Sequence, residues 1–99
     1  MITGSQCRAA RALVQFSRER LARFSGVSIE VIEFFERNID KPSSEQIMAL
    51  QDTLEKGGAL FIPENGGGIG VRLKFNSSET KRIANLENEG GVVGYDDVP

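Results

Sequence analysis

SRERLARFSGVSIEVIEFFERN, residues 17–38, decides the fold. Its apolar positions are spaced for two short helices that cross at a tight turn. Leu21, Ala22 and Phe24 belong to the first helix, Val27 plugs the turn, and Ile32 and Phe35 anchor the second. Gly26 stands where the first helix should end, a place for left-handed backbone that glycine alone adopts cheaply. Ser28 follows as an N-cap, its hydroxyl placed to accept from the free N–H groups of the next helix. Cap, apolar spacing, glycine and second cap in that order are the signature of a helix-turn-helix. The usual use of that unit is to present its second helix to the DNA major groove.

Working outward, Thr3 with Gln6 forms a capping box that starts a helix at Gly4. Cys7, Ala10 and Val14 fall at i, i+3 and i+7 with Leu13 flanking, one apolar stripe, and Arg8 and Arg11 are assigned to the other side. Ser17 begins the second helix and Ser28 the third. Residues 38–42 form a connection, because Asp40-Lys41-Pro42 breaks the pattern and proline disfavours helix at Lys41. Ser43 and Gln46 repeat the capping box, and Ile47, Leu50 and Leu54 mark a fourth helix ended by Gly57 and Gly58.

The period then changes. Leu60-Phe61-Ile62 is a short strand, residues 63–68 are a glycine-rich loop, and Val71, Leu73 and Phe75 alternate with Arg72 and Lys74 as a half-buried strand does. Such a two-stranded hairpin is marginal alone, so it must pack on the helices or pair with another chain. Its free edge is a natural place for a homodimer to form. Residues 77–89 fit a short helix or another strand, and the end of the chain reads as a flexible acidic tail.

Eight of these residues, Ser17, Leu21, Ala22, Gly26, Val27, Ser28, Ile32 and Glu36, match the pattern S-Q-x-x-L-A-x-x-x-G-V-S-x-x-T-I-x-x-x-E. The chain thus resembles the XRE family, the Cro/C1 repressor-type helix-turn-helix regulators of bacteria and phages. The resemblance covers residues 1–56, with Lys41-Pro42 and residues 43–56 similar to the family's fourth helix. The phrase Phe61-Ile62-Pro63-Glu64-Asn65-Gly66-Gly67-Gly68 looks like the hairpin appendage of small single-domain members. The implied fold is mainly α, a four-helix, lambda repressor-like helix-turn-helix domain over residues 1–58. A two-stranded β-hairpin over residues 59–76 would serve dimerisation, and residues 77–99 would form the acidic tail.

Composition narrows the functions available. Ninety-nine residues, 39% of them apolar, suit one small domain with a modest core. One cysteine and no histidine exclude an internal disulfide, histidine-based triads and histidine-ligated metals, so neither a cofactor nor an enzyme is expected. Gly66-Gly67-Gly68 lacks the Gly-Lys-Ser/Thr ending of a phosphate loop. No run approaches a membrane span and no apolar leader opens the chain, so a soluble cytoplasmic protein is expected. The net charge of −2 is unevenly spread. Residues 1–42 hold seven Lys or Arg against five Asp or Glu, whereas residues 76–99 hold two against five. The helix-turn-helix half is mildly basic, which is compatible with phosphate contact, without the dense patch of a strongly electrostatic binder.

The resemblance implies which residues meet DNA. Base-reading candidates are Ser28, Ile29, Glu30, Glu33 and Phe34, on a third helix spanning residues 28–37. Many family members carry Gln, Arg, Asn or Lys at such positions. Glutamate accepts from the cytosine amino group, and an apolar side chain packs on a thymine methyl. The plainer reading makes Glu30, Glu33 and Glu36 a solvated acidic face, with Glu33 and Arg37 paired at i,i+4. Phe34 lies about 100° round the helix from its neighbour Phe35; partial burial is favoured over an exposed aromatic that would suit thymine or a protein. Phosphate-contact candidates are Ser17, Arg18, Arg37 and Lys41. Arg8, Arg11, Arg20 and Arg23 are available by composition, with solvated surface charge the commoner fate. Glu36 reads as structural, and Cys7 as buried.

These observations imply a transcriptional regulator that binds double-stranded DNA as a homodimer. The alternative is an antitoxin-like or accessory protein that binds a partner through residues 77–99.

Overall fold

The computed structural model describes residues 1–74; the expectations for Phe75 and for the tail over residues 77–99 lie outside these. Four helices are followed by an antiparallel hairpin: α1 (Gly4–Val14), α2 (Arg18–Ser25), α3 (Ile29–Glu36), α4 (Ser44–Lys56), β1 (Ala59–Ile62) and β2 (Gly70–Leu73). Every helix starts on the cap expected of it. Thr3 and Ser43 each form a complete capping box, with Gln6 and Gln46 respectively. Ser17 accepts from the Arg20 N–H and Ser28 from that of Val31. Gly26 ends α2 at φ 78° and its N–H donates to the Ala22 carbonyl. α3 stops at Glu36, and Arg37 caps it, one residue earlier than the sequence suggested.

One core serves all six elements. Cys7, Ala10 and Val14 of α1, Leu21 of α2, Val27 of the turn, Ile32 and Phe35 of α3, Ile47, Leu50 and Leu54 of α4 and Ala59 of β1 are buried together with Ile2. Fully burying one such aliphatic side chain stabilises by about 1.5–3 kcal/mol. α1 approaches α3 so closely that a Cβ on Gly4 would overlap the Phe35 carbonyl oxygen. That is why the first position of α1 carries no side chain.

Phe24 departs from expectation. It was assigned to the contact between the two crossing helices, yet it is 56% exposed. Phe24 lies about 40° round α2 from Arg20 and about 60° from Leu21, at the border of the buried face, where its ring packs outside the core. Its ring stands 6.4 Å from that of Phe16, tilted by 54°. The Arg20 guanidinium covers both rings, at 4.7 Å from Phe16 and 5.6 Å from Phe24. Arg20 is therefore a cover for aromatic surface.

The hairpin packs on the helices and is part of the same unit. Ala59 pairs with Leu73 and Ile62 with Gly70. Gln6, on α1, fixes it there: its Nε2 donates to the Ile62 carbonyl at 3.3 Å and to the Gly70 carbonyl at 2.8 Å. The same side chain accepts the Thr3 N–H through Oε1 at 3.0 Å. One buried amide thus closes the helix cap and clasps both strands. Among the described residues no helix is long and apolar enough to cross a membrane.

Candidate nucleic-acid interface

α3 is held from behind by a charged network. The Glu36 side chain is completely shielded from solvent and faces three basic or polar groups from two other helices. Arg11 of α1 grips it with two parallel bonds, Nε to Oε2 at 2.8 Å and Nη2 to Oε1 at 2.9 Å. Arg18, the first residue of α2, adds Nε to Oε1 at 3.1 Å. The Cys7 thiol donates to Oε2 at 3.3 Å. The remaining Arg11 nitrogen donates to the Phe16 carbonyl at 3.1 Å, so the guanidinium also braces the link between α1 and α2.

The protonation states follow from these contacts. Burial pushes the Glu36 carboxyl up, but the Arg11 hydrogen bonds and charge, with the bonds from Cys7 and Arg18, outweigh it and leave it below the usual carboxylate range. Arg11 is raised by its hydrogen bonds to Glu36 against the opposing effect of burial. Burial, reinforced by the Glu36 charge, pushes the Cys7 thiol far above its ordinary value, so it stays protonated as a donor.

Within the network one carboxylate faces two guanidiniums, with Glu19 the acidic residue of the first turn of α2. Arg18 is 32% exposed and bonds Glu36 through Nε alone, so its two outer nitrogens are not spent on that bond. Ser17 is exposed beside it at the N-cap of α2. The two are therefore brought together at a helix end whose dipole favours an anion.

The outer face of α3 carries the other candidates. Ile29 is 38% exposed, Phe34 is 42% exposed, and Glu30 is open to solvent. Phe34 is thus more open than the partial burial favoured from the sequence, because Ile32 and Phe35 fill the core side of the helix. Glu33 and Arg37 form the expected i,i+4 pair at 3.0 Å. Ser28 is exposed at the N-cap, where its hydroxyl accepts from the Val31 N–H at 3.3 Å. Lys41 lies exposed on the α3–α4 connection, with its N–H on the Asp40 carboxylate at 2.9 Å. Glu30, Glu33, Phe34 and Arg37 span about 100° of helix surface, the width of one contact face.

Sequence reasoning misplaced Arg11. It was put opposite the apolar stripe, yet i+4 from Cys7 is the same side of a helix, and there its charge is neutralised from Glu36. The spacing of Cys7, Arg11 and Val14 carried that signal. No known family pattern and no curated protein matches this sequence.

Proposed function

We propose that this chain is a cytoplasmic, XRE-type transcriptional regulator with a lambda repressor-like head, which binds duplex DNA as a homodimer and lays α3 in the major groove. The observation that carries the reading is the pairing of two surfaces. The inner side of α3 is locked to α1 and α2 through Glu36, Arg11 and Arg18. Its outer side, from Ile29 to Arg37, is left exposed at a glycine turn. A rigidly mounted helix with a free face is what base readout needs, and Ser17 with Arg18 supplies a phosphate seat at the adjoining helix end. Arg37 and Lys41 flank the far end of the same face and serve as backbone contacts. A single head covers a few base pairs, so two heads about 34 Å apart are needed for tight binding. The hairpin's free edge is the proposed contact between copies.

Fluorescence anisotropy tests this with a duplex from the gene's own upstream region and a scrambled duplex, over a salt series. Preference for the upstream duplex at physiological salt is expected. Arg18→Ala, Arg37→Ala and Lys41→Ala should each weaken binding on every sequence and flatten the salt slope by about 1. The acidic, apolar composition of the α3 face favours a second reading, a module that docks a protein partner on that face. Capture of a basic protein with no binding to any duplex would select it.

A further inference from the structure

The reading face of α3 is poor in hydrogen-bond donors, and this limits which bases it can recognise. Purines are read in the major groove chiefly by donors: guanine offers two acceptors, O6 and N7, and adenine offers N7 beside its amino group. Two side chains along the face could donate. The Ser28 hydroxyl accepts from Val31 at 3.3 Å as the cap, which leaves a single O–H to donate, short of the paired donors that a purine edge takes from arginine or asparagine. Arg37 is held on Glu33 at 3.0 Å and sits about 12 Å along the axis from Ile29, at the opposite end from the residues that approach base edges. What remains unengaged on the face is the Glu30 carboxylate, flanked by two apolar groups. Glu30 has no partner among the described residues. Ile29 is 38% exposed on one side of it and Phe34, a turn on, is 42% exposed.

We infer that this face reads pyrimidines: Glu30 takes the cytosine N4 amino group, and Ile29 and Phe34 cover the methyls of adjoining thymines. The inference rests on the proposal that α3 enters the major groove, and it names the chemistry that proposal leaves open. Both marks stand on the pyrimidine edge of a base pair, so a half-site with cytosine and thymine adjacent on one strand satisfies all three side chains. Glu33 is held to Arg37 through Oε2 alone, so its charge is offset locally while Oε1 is left as a second acceptor on the same face.

The test is selection from a random duplex library with the full chain, followed by anisotropy on the selected site. A half-site led by adjacent cytosine and thymine is expected. Replacing each selected thymine by deoxyuridine removes only the methyl, and should lower affinity about fourfold. That loss should vanish in Ile29→Ala or Phe34→Ala, both at exposed positions where the fold is retained, as circular dichroism would verify. Glu30→Gln should move the preference from cytosine to adenine, since an amide both donates and accepts. A site led by guanine, or one indifferent to deoxyuridine, overturns the inference while leaving DNA binding intact. Equal binding to every duplex does the same, and shows phosphate contact alone. Binding to no duplex removes this inference together with the function it rests on.

Discussion

Removing Arg11 should expose how much of the domain depends on the charge buried behind α3. In Arg11→Ala, Glu36 loses two bonds of 2.8 and 2.9 Å and the Phe16 carbonyl loses one of 3.1 Å. Breaking a buried ion pair from one side costs about 3–5 kcal/mol. Glu36 keeps Arg18 and Cys7, so the expected loss is lower, about 2–4 kcal/mol at pH 7. Arg18→Ala removes one 3.1 Å bond from a group a third exposed, and should cost about 0.5–1.5 kcal/mol. The pH dependence distinguishes charge from packing. Glu36 titrates below its ordinary value of 4.5 in the folded protein, so its stabilising contribution is full above that pH. The contribution is lost as pH falls through the folded value. Without Arg11, burial dominates and the carboxyl is pushed up, so the penalty in the variant is relieved as the pH drops. The difference between wild type and Arg11→Ala should therefore shrink between pH 7 and pH 4. Urea denaturation followed by circular dichroism measures it. A loss below 1 kcal/mol, or a difference that is unchanged at pH 4, would refute the reasoning. The double replacement Arg11→Met with Glu36→Leu should recover most of the loss, because an apolar pair leaves no buried charge unpaired.

Other substitutions probe the remaining joints. Gln6→Ala should cost about 1–3 kcal/mol, because it strips the Ile62 and Gly70 carbonyls and the Thr3 N–H of their partner. Hydrogen exchange should then show the hairpin opening more often than α4. Gly4→Ala should destabilise by about 1–3 kcal/mol despite alanine's better helix propensity, since its methyl meets the Phe35 carbonyl; thermal denaturation reads this directly. Gly26→Ala meets no atom, so its cost of about 1–2 kcal/mol is backbone strain at φ 78°. Phe24→Ser should change stability by less than about 1 kcal/mol despite the size of the residue lost, because the ring is mostly in water. A larger loss would mean that the cover of Arg20 over the two rings matters more than their area.

Local chemistry made the helices and their ends legible. The caps at Thr3, Ser17, Ser28 and Ser43 and the turn at Gly26 each depend on atoms within a few residues of one another. The hairpin was legible from its alternation and its glycines. Contacts between distant residues were harder to read. Arg11 and Glu36 lie 25 residues apart, and nothing near Arg11 announces a buried carboxylate across the core. Gln6 was read as a cap residue, which it is; that its amide reaches carbonyls 56 and 64 residues away follows only from how the hairpin folds back. Phe24 has the spacing of a core residue, but it stands at the border of the buried face of α2, beside Phe16 and Arg20. The candidate face on α3 was legible as a set of positions, whereas the Arg18–Glu36 bond that conditions its neighbourhood was not.

The clasp at Gln6 also has a mechanical meaning. The first turn of the domain and its last described strand share one side chain, so neither can loosen alone. Chain beyond Lys74 leaves from a strand end that is bonded back to Gly58 at 2.6 Å. Tension on that end, from whatever grips it, is passed along β2 to Gln6 and so to the cap of α1. The same helix holds Arg11 against Glu36, and Glu36 sits at the end of α3. A pull at one extremity would thus be felt at the other face of the molecule through the two hydrogen bonds of one amide and through one guanidinium.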